Sequence, residues 1–174
     1  MNGLIHYYYG YGKGKTTAAL GLMTRALGHG MRVVLVQFLK DEDSGEIHFF
    51  QDHPHVTILR SKAGTGMPWD MGEQERQETL AVHNRNLQEA QRIVQSGQCD
   101  LLVLDEVSDA VQLGLLNKAL LLSFLQNKPN VLEIVMTGHK PLQCCMKIAD
   151  YVTRMEKKRH PFDSGIDARI GIER

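Results

Sequence analysis

Two groups of residues carry side chains suited to phosphate and metal chemistry. The first is Gly10-Tyr11-Gly12-Lys13-Gly14-Lys15-Thr16-Thr17. Glycines in such a run let successive backbone N–H groups turn toward phosphate oxygens. A helix that begins where the run ends adds the positive end of its dipole. Lys15 is placed to reach the phosphates, and the Thr16 hydroxyl to ligate a metal ion. Lys13 sets a second cation beside the same oxygens. Contacts to a nucleotide are therefore expected from Gly10, Gly12, Lys13, Gly14, Lys15, Thr16 and Thr17. The run departs from the usual G-x-x-x-x-G-K-[ST]: its first glycine falls at Gly10 where that spacing would put it at Tyr9, so the loop is one residue shorter. The second group is Asp105-Glu106, which closes the apolar run Leu101 to Leu104. Downstream of a phosphate loop, a carboxylate at a strand end holds Mg²⁺ directly or through water. Thr16, Asp105 and Glu106 are the candidate metal ligands, for Mg²⁺ or Mn²⁺, because hard ions take oxygen donors. Lys15 and Glu106 are the candidate catalytic residues.

These groups need a frame, and the chain supplies one. Apolar runs at Leu4 to Tyr9, Arg32 to Leu39, Val56 to Leu59, Leu101 to Leu104, Val131 to Met136 and Tyr151 to Met155 read as strands. Between the first two, Thr16 to Leu27 reads as a helix with Ala19, Leu22, Met23, Ala26 and Leu27 on one face, stopped by Gly28 and Gly30. Asp70 with Glu73 three residues on looks like a capping box. It would open a long polar helix to about Ser96, with Leu87, Ala90 and Val94 as its buried stripe. Strands apolar on both faces, alternating with helices, imply a mostly parallel sheet covered by helices on both sides. The phosphate loop then sits between the first strand and the first helix. Lys62 to Trp69 reads as a glycine-rich turn within the domain.

Composition narrows the classes. The 174 residues are enough for one domain, spanning 1–174, with a sizeable core. Hydrophobic residues make up 43% and charged residues 23%, as in an ordinary globular domain. Twenty Lys and Arg balance 20 Asp and Glu, which argues against a nucleic-acid partner. No apolar stretch approaches the roughly 18 residues needed to span a bilayer, and no secretory leader is apparent. Cys99, Cys144 and Cys145 have neither CxxC nor Cys/His spacing, which argues against a disulfide framework and a zinc site and for a reducing cytoplasm, and Cys144-Cys145 reads as a pair of small buried helix residues. The eight histidines are scattered, and His160 is expected to shape a turn.

Together these segments resemble the ATP:corrinoid adenosyltransferase family, the cob(I)yrinic acid a,c-diamide adenosyltransferases. The loop GYGKGKTTAALGL is similar to the family's shortened GNGKGKTTAA. Arg25, Gly28-His29-Gly30 and RVVLVQFLK match the next segment, and Gly45-Glu46 a Gly-Glu there. Gly64-Thr65-Gly66-Met67-Pro68-Trp69 resembles GTGFTW, Val103 to Glu106 the acidic strand end, and Thr137-Gly138 a TGR-like segment. Lys158 to Glu173 resembles the KHPFDxGxxAxxGIE ending. The matches run in order along the whole chain. Four places depart: Tyr11 for Asn, Met67 for an aromatic, Ser108-Asp109 for Thr-Tyr, and His139 for Arg.

The resemblance implies a P-loop NTPase-like, RecA-like fold. It implies transfer of the 5′-deoxyadenosyl group of ATP to the cobalt(I) of a reduced corrinoid (cobalamin, cobinamide or cobyrinic acid a,c-diamide), with release of triphosphate, in adenosylcobalamin synthesis or salvage. It adds Arg25 to the ATP contacts and Met67 and Trp69 as corrinoid contacts. It also implies an electron-donating reductase such as a flavoprotein, a homodimer and a cytoplasmic setting. The loop and acidic pair alone also allow a small P-loop kinase or ATPase, or an ATP-sensing binding module.

Overall fold

A computed structural model describes residues 2–40, 44–60 and 70–173. Its centre is a six-stranded sheet: β1 (Ile5–Tyr9), β2 (Val33–Gln37), β3 (Val56–Arg60), β4 (Leu101–Asp105), β5 (Glu133–Gly138) and β6 (Tyr151–Arg154). All pairings are parallel, in the order β3-β2-β4-β5-β1-β6. The helices are α1 (Lys15–Leu27), α2 (Gly45–Phe50), α3 (Glu73–Gln95), α4 (Val107–Gln112), α5 (Lys118–Gln126) and α6 (Gln143–Ile148), with a 3₁₀ turn at Pro161–Ser164.

Alternation along the central strands builds two cores, one on each face. Leu102 and Leu104 of β4 face one side, with Ile134 and Met136 of β5. That core is covered by Leu87, Ala90 and Val94 of α3 and Leu121, Phe124 and Leu125 of α5. Leu101, Val103 and Val135 face the other side, under Ala19, Met23 and Ala26 of α1. The parallel sheet, covered on both faces, is the one expected from the apolar runs. So is the buried stripe of α3.

Several boundaries differ from the sequence reading. Helix α3 starts at Glu73, with Gly72 as its N-cap residue and no side-chain cap. The Gly72 carbonyl takes the first helical bond, from Arg76 N at 3.0 Å. Asp70 therefore lies outside the helix, and Glu73 is its first residue, where it complements the dipole. β2 is shorter than its apolar run because Arg32 pairs with Asp100 (2.7 Å) and Leu39 turns to φ 58°. β5 begins at Glu133, since Leu132 N is tied in a turn to Pro129 O, and continues through Thr137 and Gly138. Helices α2, α4 and α5 were not expected, and α6 only as the helical setting of Cys144-Cys145. Cys145 is buried and Cys144 partly so, both in α6, as expected of a helical pair, and Cys99 is buried in the core as well. Among the described residues no helix is long and apolar enough to cross a membrane.

Candidate active site

The chemistry-bearing residues follow the carboxyl ends of four strands, where parallel sheets of this kind place their ligands. The phosphate loop follows β1, Lys40 follows β2, Glu106 follows β4 and His139 follows β5. Because β5 separates β4 from β1 in the sheet, a residue at the end of β5 can bridge the two halves of the site. Thr137 does so.

The loop is held by backbone contacts that leave no room for side chains. Gly10 N donates to His139 O at 2.9 Å, and Gly12 N to Met155 O at 2.8 Å. Gly10 has φ 116°, and a Cβ there would lie 2.3 Å from the Met155 carbonyl oxygen. Gly14, at φ 113°, is the N-cap of α1, so the helix N-terminus opens directly onto the loop. Lys15 is buried and donates from Nζ to Gly12 O at 3.0 Å. Burial lowers its pKa, partly offset by Asp109, Glu106 and Asp105.

Asp105 is the hub. It is fully buried and accepts from three donors. Thr16 Oγ1 reaches Oδ1 at 2.9 Å, Thr137 Oγ1 reaches Oδ1 at 2.7 Å, and Lys40 Nζ reaches Oδ2 at 2.6 Å. Lys40 also donates to Thr16 Oγ1 at 3.3 Å. Desolvation alone would depress the Lys40 pKa, but Asp105 and Glu106 hold it above its ordinary value. Glu106 caps α4 in the left-handed region, φ 60° and ψ 22°. Such a conformation costs a residue with a side chain about 1–3 kcal/mol unless neighbours enforce it. Its N–H is fixed by Thr137 Oγ1 at 2.7 Å. Burial pushes the Glu106 carboxyl up to about 7, with Asp105 and Asp109 adding and Lys40 and His139 opposing.

Asp105, Glu106 and Thr16 thus present hard oxygen donors around one spot, beside the phosphate loop. That spot already attracts an ammonium group, so the donor set fits a divalent cation. No cluster of three or more His, Cys, Asp or Glu suited to a metal occurs among the described residues, so a cation here would rest on two carboxylates and the Thr16 hydroxyl.

A cavity of about 470 Å³ opens over the loop, lined by Lys13, Lys15, Thr16, Lys40, Glu46 and Glu106, among others. The C-terminal tail closes one side of it. Lys13 Nζ meets Glu173 Oε1 at 2.9 Å and the Ile172 carbonyl at 3.3 Å. Arg169 grips the same carboxylate, and its hydrogen bonds, with Lys13 adding, hold the Glu173 pKa well below the usual range. A second cavity, about 820 Å³, shares His139 and His160 with the first and is walled by Tyr11, Arg154, Met155 and Phe162. His160 caps the 3₁₀ turn, its ring Nδ1 accepting from Phe162 N at 3.2 Å, as expected for a turn-shaping residue.

The structure brings together Gly10, Gly12, Lys13, Gly14, Lys15, Thr16, Thr17, Asp105 and Glu106. It does not bring Arg25 to them: Arg25 is exposed in the last turn of α1, ten residues or about 15 Å along the helix from Lys15. Met67 and Trp69 lie outside the described residues. Three of the four departures meet. Asp109 accepts from His139 N at 2.9 Å and pairs with its Nδ1 at 3.0 Å, and the Tyr11 ring lies 5.9 Å from the His139 ring. Ser108 fits against Gly138, where a Cβ would fall 1.7 Å from the serine oxygen.

The sequence reading gave no role to Lys40, Thr137 or Glu46, and noted each only as part of a matching segment. A lysine just past a predicted strand adjacent to β4 was the available signal.

Comparison with known proteins identifies the family. The sequence model of the family described as ATP:corrinoid adenosyltransferase BtuR/CobO/CobP matches residues 1–174. The chain belongs to that family. Corrinoid adenosyltransferases from Escherichia coli K12 and Pseudomonas aeruginosa are similar to it, at 34% and 35% identity over 172 residues. These matches cover 98% of this chain and 85% and 83% of the relatives. A corrinoid adenosyltransferase from a Sinorhizobium species is 32% identical over 173 residues, 98% of this chain and 80% of the relative. Among solved structures, a KaiC-like protein from Pyrococcus horikoshii has a TM-score of 0.57 at 16% identity, covering 91% of this chain and 75% of that one. That likeness is one of fold. The adenosyltransferase is an ATP-dependent enzyme built on a P-loop sheet.

Proposed function

We propose that this adenosyltransferase holds ATP with its triphosphate in the 470 Å³ cavity and passes the 5′-deoxyadenosyl group to a cobalt(I) corrinoid. The observation that carries the reading is the convergence of Lys13, Lys15 and Lys40 with Glu106 on that single cavity. Three cations suit a triphosphate better than a single transferred phosphoryl group. In the reaction cobalt(I), as substrate, donates an electron pair to the ribose 5′-carbon. The cobalt–carbon bond forms as the carbon–oxygen bond breaks, and the pair leaves with the triphosphate. No proton moves, so no general base is required.

The protein's work is positioning and charge stabilisation. Lys15 and the amides of the Gly10 to Gly14 loop would receive the departing phosphates, with Lys13 on the outer flank. Thr16, Asp105 and Glu106 would hold Mg²⁺ or Mn²⁺, which when bound spreads the charge of the triphosphate. The second cavity would take the nucleoside and offer the corrinoid its approach, with Tyr11, His139 and Phe162 as ring-bearing walls suited to flat partners. Met67 and Trp69 remain the corrinoid contacts proposed from sequence, excluding the lower axial ligand of cobalt. A flavoprotein-type reductase supplies cobalt(I), and the enzyme works as a cytoplasmic homodimer; these parts rest on the family resemblance.

The test is product analysis. Phosphorus NMR of a reaction with ATP and cobalt(I) corrinoid is expected to show one tripolyphosphate per cobalt–carbon bond, with little ADP. ADP accumulating in step with turnover, while the corrinoid spectrum stays unchanged, would overturn the reading in favour of a kinase or ATPase.

A further inference from the structure

The ammonium of Lys40 touches two of the three groups just assigned to the divalent ion. Its Nζ lies 2.6 Å from Asp105 Oδ2 and 3.3 Å from Thr16 Oγ1. A magnesium ion bound at about 2.0–2.1 Å to the same oxygens would leave no space for an ammonium there, and the two cations would repel. Yet Lys40 is not locked in. Its side chain is 25% exposed and lines the phosphate cavity together with Lys13 and Lys15. It follows directly on Leu39, whose φ of 58° sets the chain turning away at the end of β2. The same flexible four-carbon stem that reaches Asp105 can reach into the cavity.

We infer that Lys40 is an internal stand-in for the divalent ion: before ligands bind it takes the metal's seat on Asp105 and Thr16, and when metal and triphosphate arrive together it moves onto the phosphates. The inference rests on the assignment of Thr16, Asp105 and Glu106 as metal ligands. Its consequence is an order of binding. Free metal meets a seat already neutralised by a cation. A metal–nucleotide complex brings the negative charge that draws Lys40 away. Lys40 is thus a positioning residue for the reaction, screening the acidic pair from adventitious ions between turnovers.

The experiment is a Mn²⁺ titration followed by electron paramagnetic resonance, without nucleotide, on wild type, Lys40→Met and Lys40→Arg. Removing the charge is expected to tighten nucleotide-free Mn²⁺ binding at least tenfold in Lys40→Met. Lys40→Arg, which keeps a cation, should stay as weak as wild type. Lys40→Gln, which keeps a hydrogen-bond donor for Asp105, serves the same purpose should the methionine variant fail to fold. In parallel, isothermal titration should show tripolyphosphate with Mn²⁺ binding several-fold more weakly to the uncharged variants. Nucleotide-free Mn²⁺ affinity equal in wild type and the uncharged variants, with wild type binding Mn²⁺ normally in the presence of ATP, overturns the role of Lys40 and leaves the metal site standing. Failure of wild type to bind Mn²⁺ even with ATP overturns the metal-ligand assignment, and the inference falls with it.

Discussion

Replacing Thr137 by valine keeps the shape of the side chain and removes one oxygen atom. That oxygen does two things. It donates to Asp105 Oδ1 at 2.7 Å and accepts from Glu106 N at 2.7 Å. The first bond is to a charged acceptor in a fully buried position, worth about 1.5–3 kcal/mol. The second satisfies the N–H of a residue held in the left-handed region, and its loss adds about 1 kcal/mol. The total is about 3 kcal/mol. For a chain of this length each kcal/mol moves the melting temperature by about 2–4 °C, so Thr137→Val should melt about 6–12 °C lower. Thr137→Ser loses only a methyl group and keeps both bonds, and should recover most of the difference. Differential scanning calorimetry in chelator, so that no metal contributes, measures both. Adenosylation should fall further than stability alone explains, because Asp105 and Glu106 lose their shared anchor. Thr137→Val melting within 2 °C of wild type, or Thr137→Ser melting below it, would refute the bridging role.

Further outcomes follow from the same geometry. Lys15→Ala should nearly abolish adenosylation with ATP saturating, since it removes a buried, charge-assisted phosphate contact; wild-type turnover in steady-state assays would remove the loop assignment. Glu106 titrates near 7 where an ordinary glutamate titrates near 4.5. A raised acid favours the folded state below its unfolded pKa and loses that contribution as pH climbs from about 4.5 through about 7. Chemical denaturation of the metal-free enzyme should therefore show a stability decline across that window that flattens in Glu106→Gln. Gly138→Ala should destabilise by about 1–3 kcal/mol through the clash with Ser108, and Ser108→Ala should relieve part of it in a double-mutant cycle.

What was legible in the sequence was what is local. The GKT run, the apolar strands and the α1 face can each be read within about 15 residues, and all stand where expected. What was not legible depends on distance along the chain or on short length. Lys40 and Asp105 are 65 residues apart, Asp109 and His139 are 30 apart, and Lys13 and Glu173 are 160 apart. The order β2-β4-β5 brings the first two pairs together, and the tail that leaves β6, beside β1, brings the third. Helices α2, α4 and α6 have six residues each, under two turns, too few to show a period. Helix α5 could have been found: Asn117 Oδ1 accepts from Ala119 N and Leu120 N, an N-cap before an apolar run. β5 was read two residues early because Val131 is apolar, yet it is 71% exposed in the preceding turn. The α3 start was misplaced because an Asp-x-x-Glu spacing suits a capping box whether or not the chain builds one there.

Each lysine of the site has an internal partner, and the strength of each pairing sets the order in which a ligand can undo it. Lys13 is held by Glu173 and a tail carbonyl at the surface, Lys15 by the Gly12 carbonyl, and Lys40 by buried Asp105. Exposed ion pairs contribute at most about 1 kcal/mol and weaken with salt, so the Lys13–Glu173 contact yields easily to an incoming phosphate. Lys15 gives up a neutral acceptor for a charged one, an exchange that runs downhill. Lys40 is different: its departure would leave Asp105 only the hydroxyls of Thr16 and Thr137 and strand a buried charge without a counter-ion, a loss of about 3–5 kcal/mol. It can therefore leave only when another cation replaces it. Phosphate capture by Lys13 and Lys15 should precede release of Lys40, and release of Lys40 should coincide with metal entry. A triphosphate offered without a divalent ion should accordingly bind to Lys13 and Lys15 with a salt-sensitive, weak affinity. Added Mg²⁺ should raise that affinity and lower its salt dependence together, and calorimetric titrations at two ionic strengths read both. A triphosphate that binds as tightly in chelator as in Mg²⁺ would mean that Lys40 parts from Asp105 without a replacement, and the proposed order would be wrong.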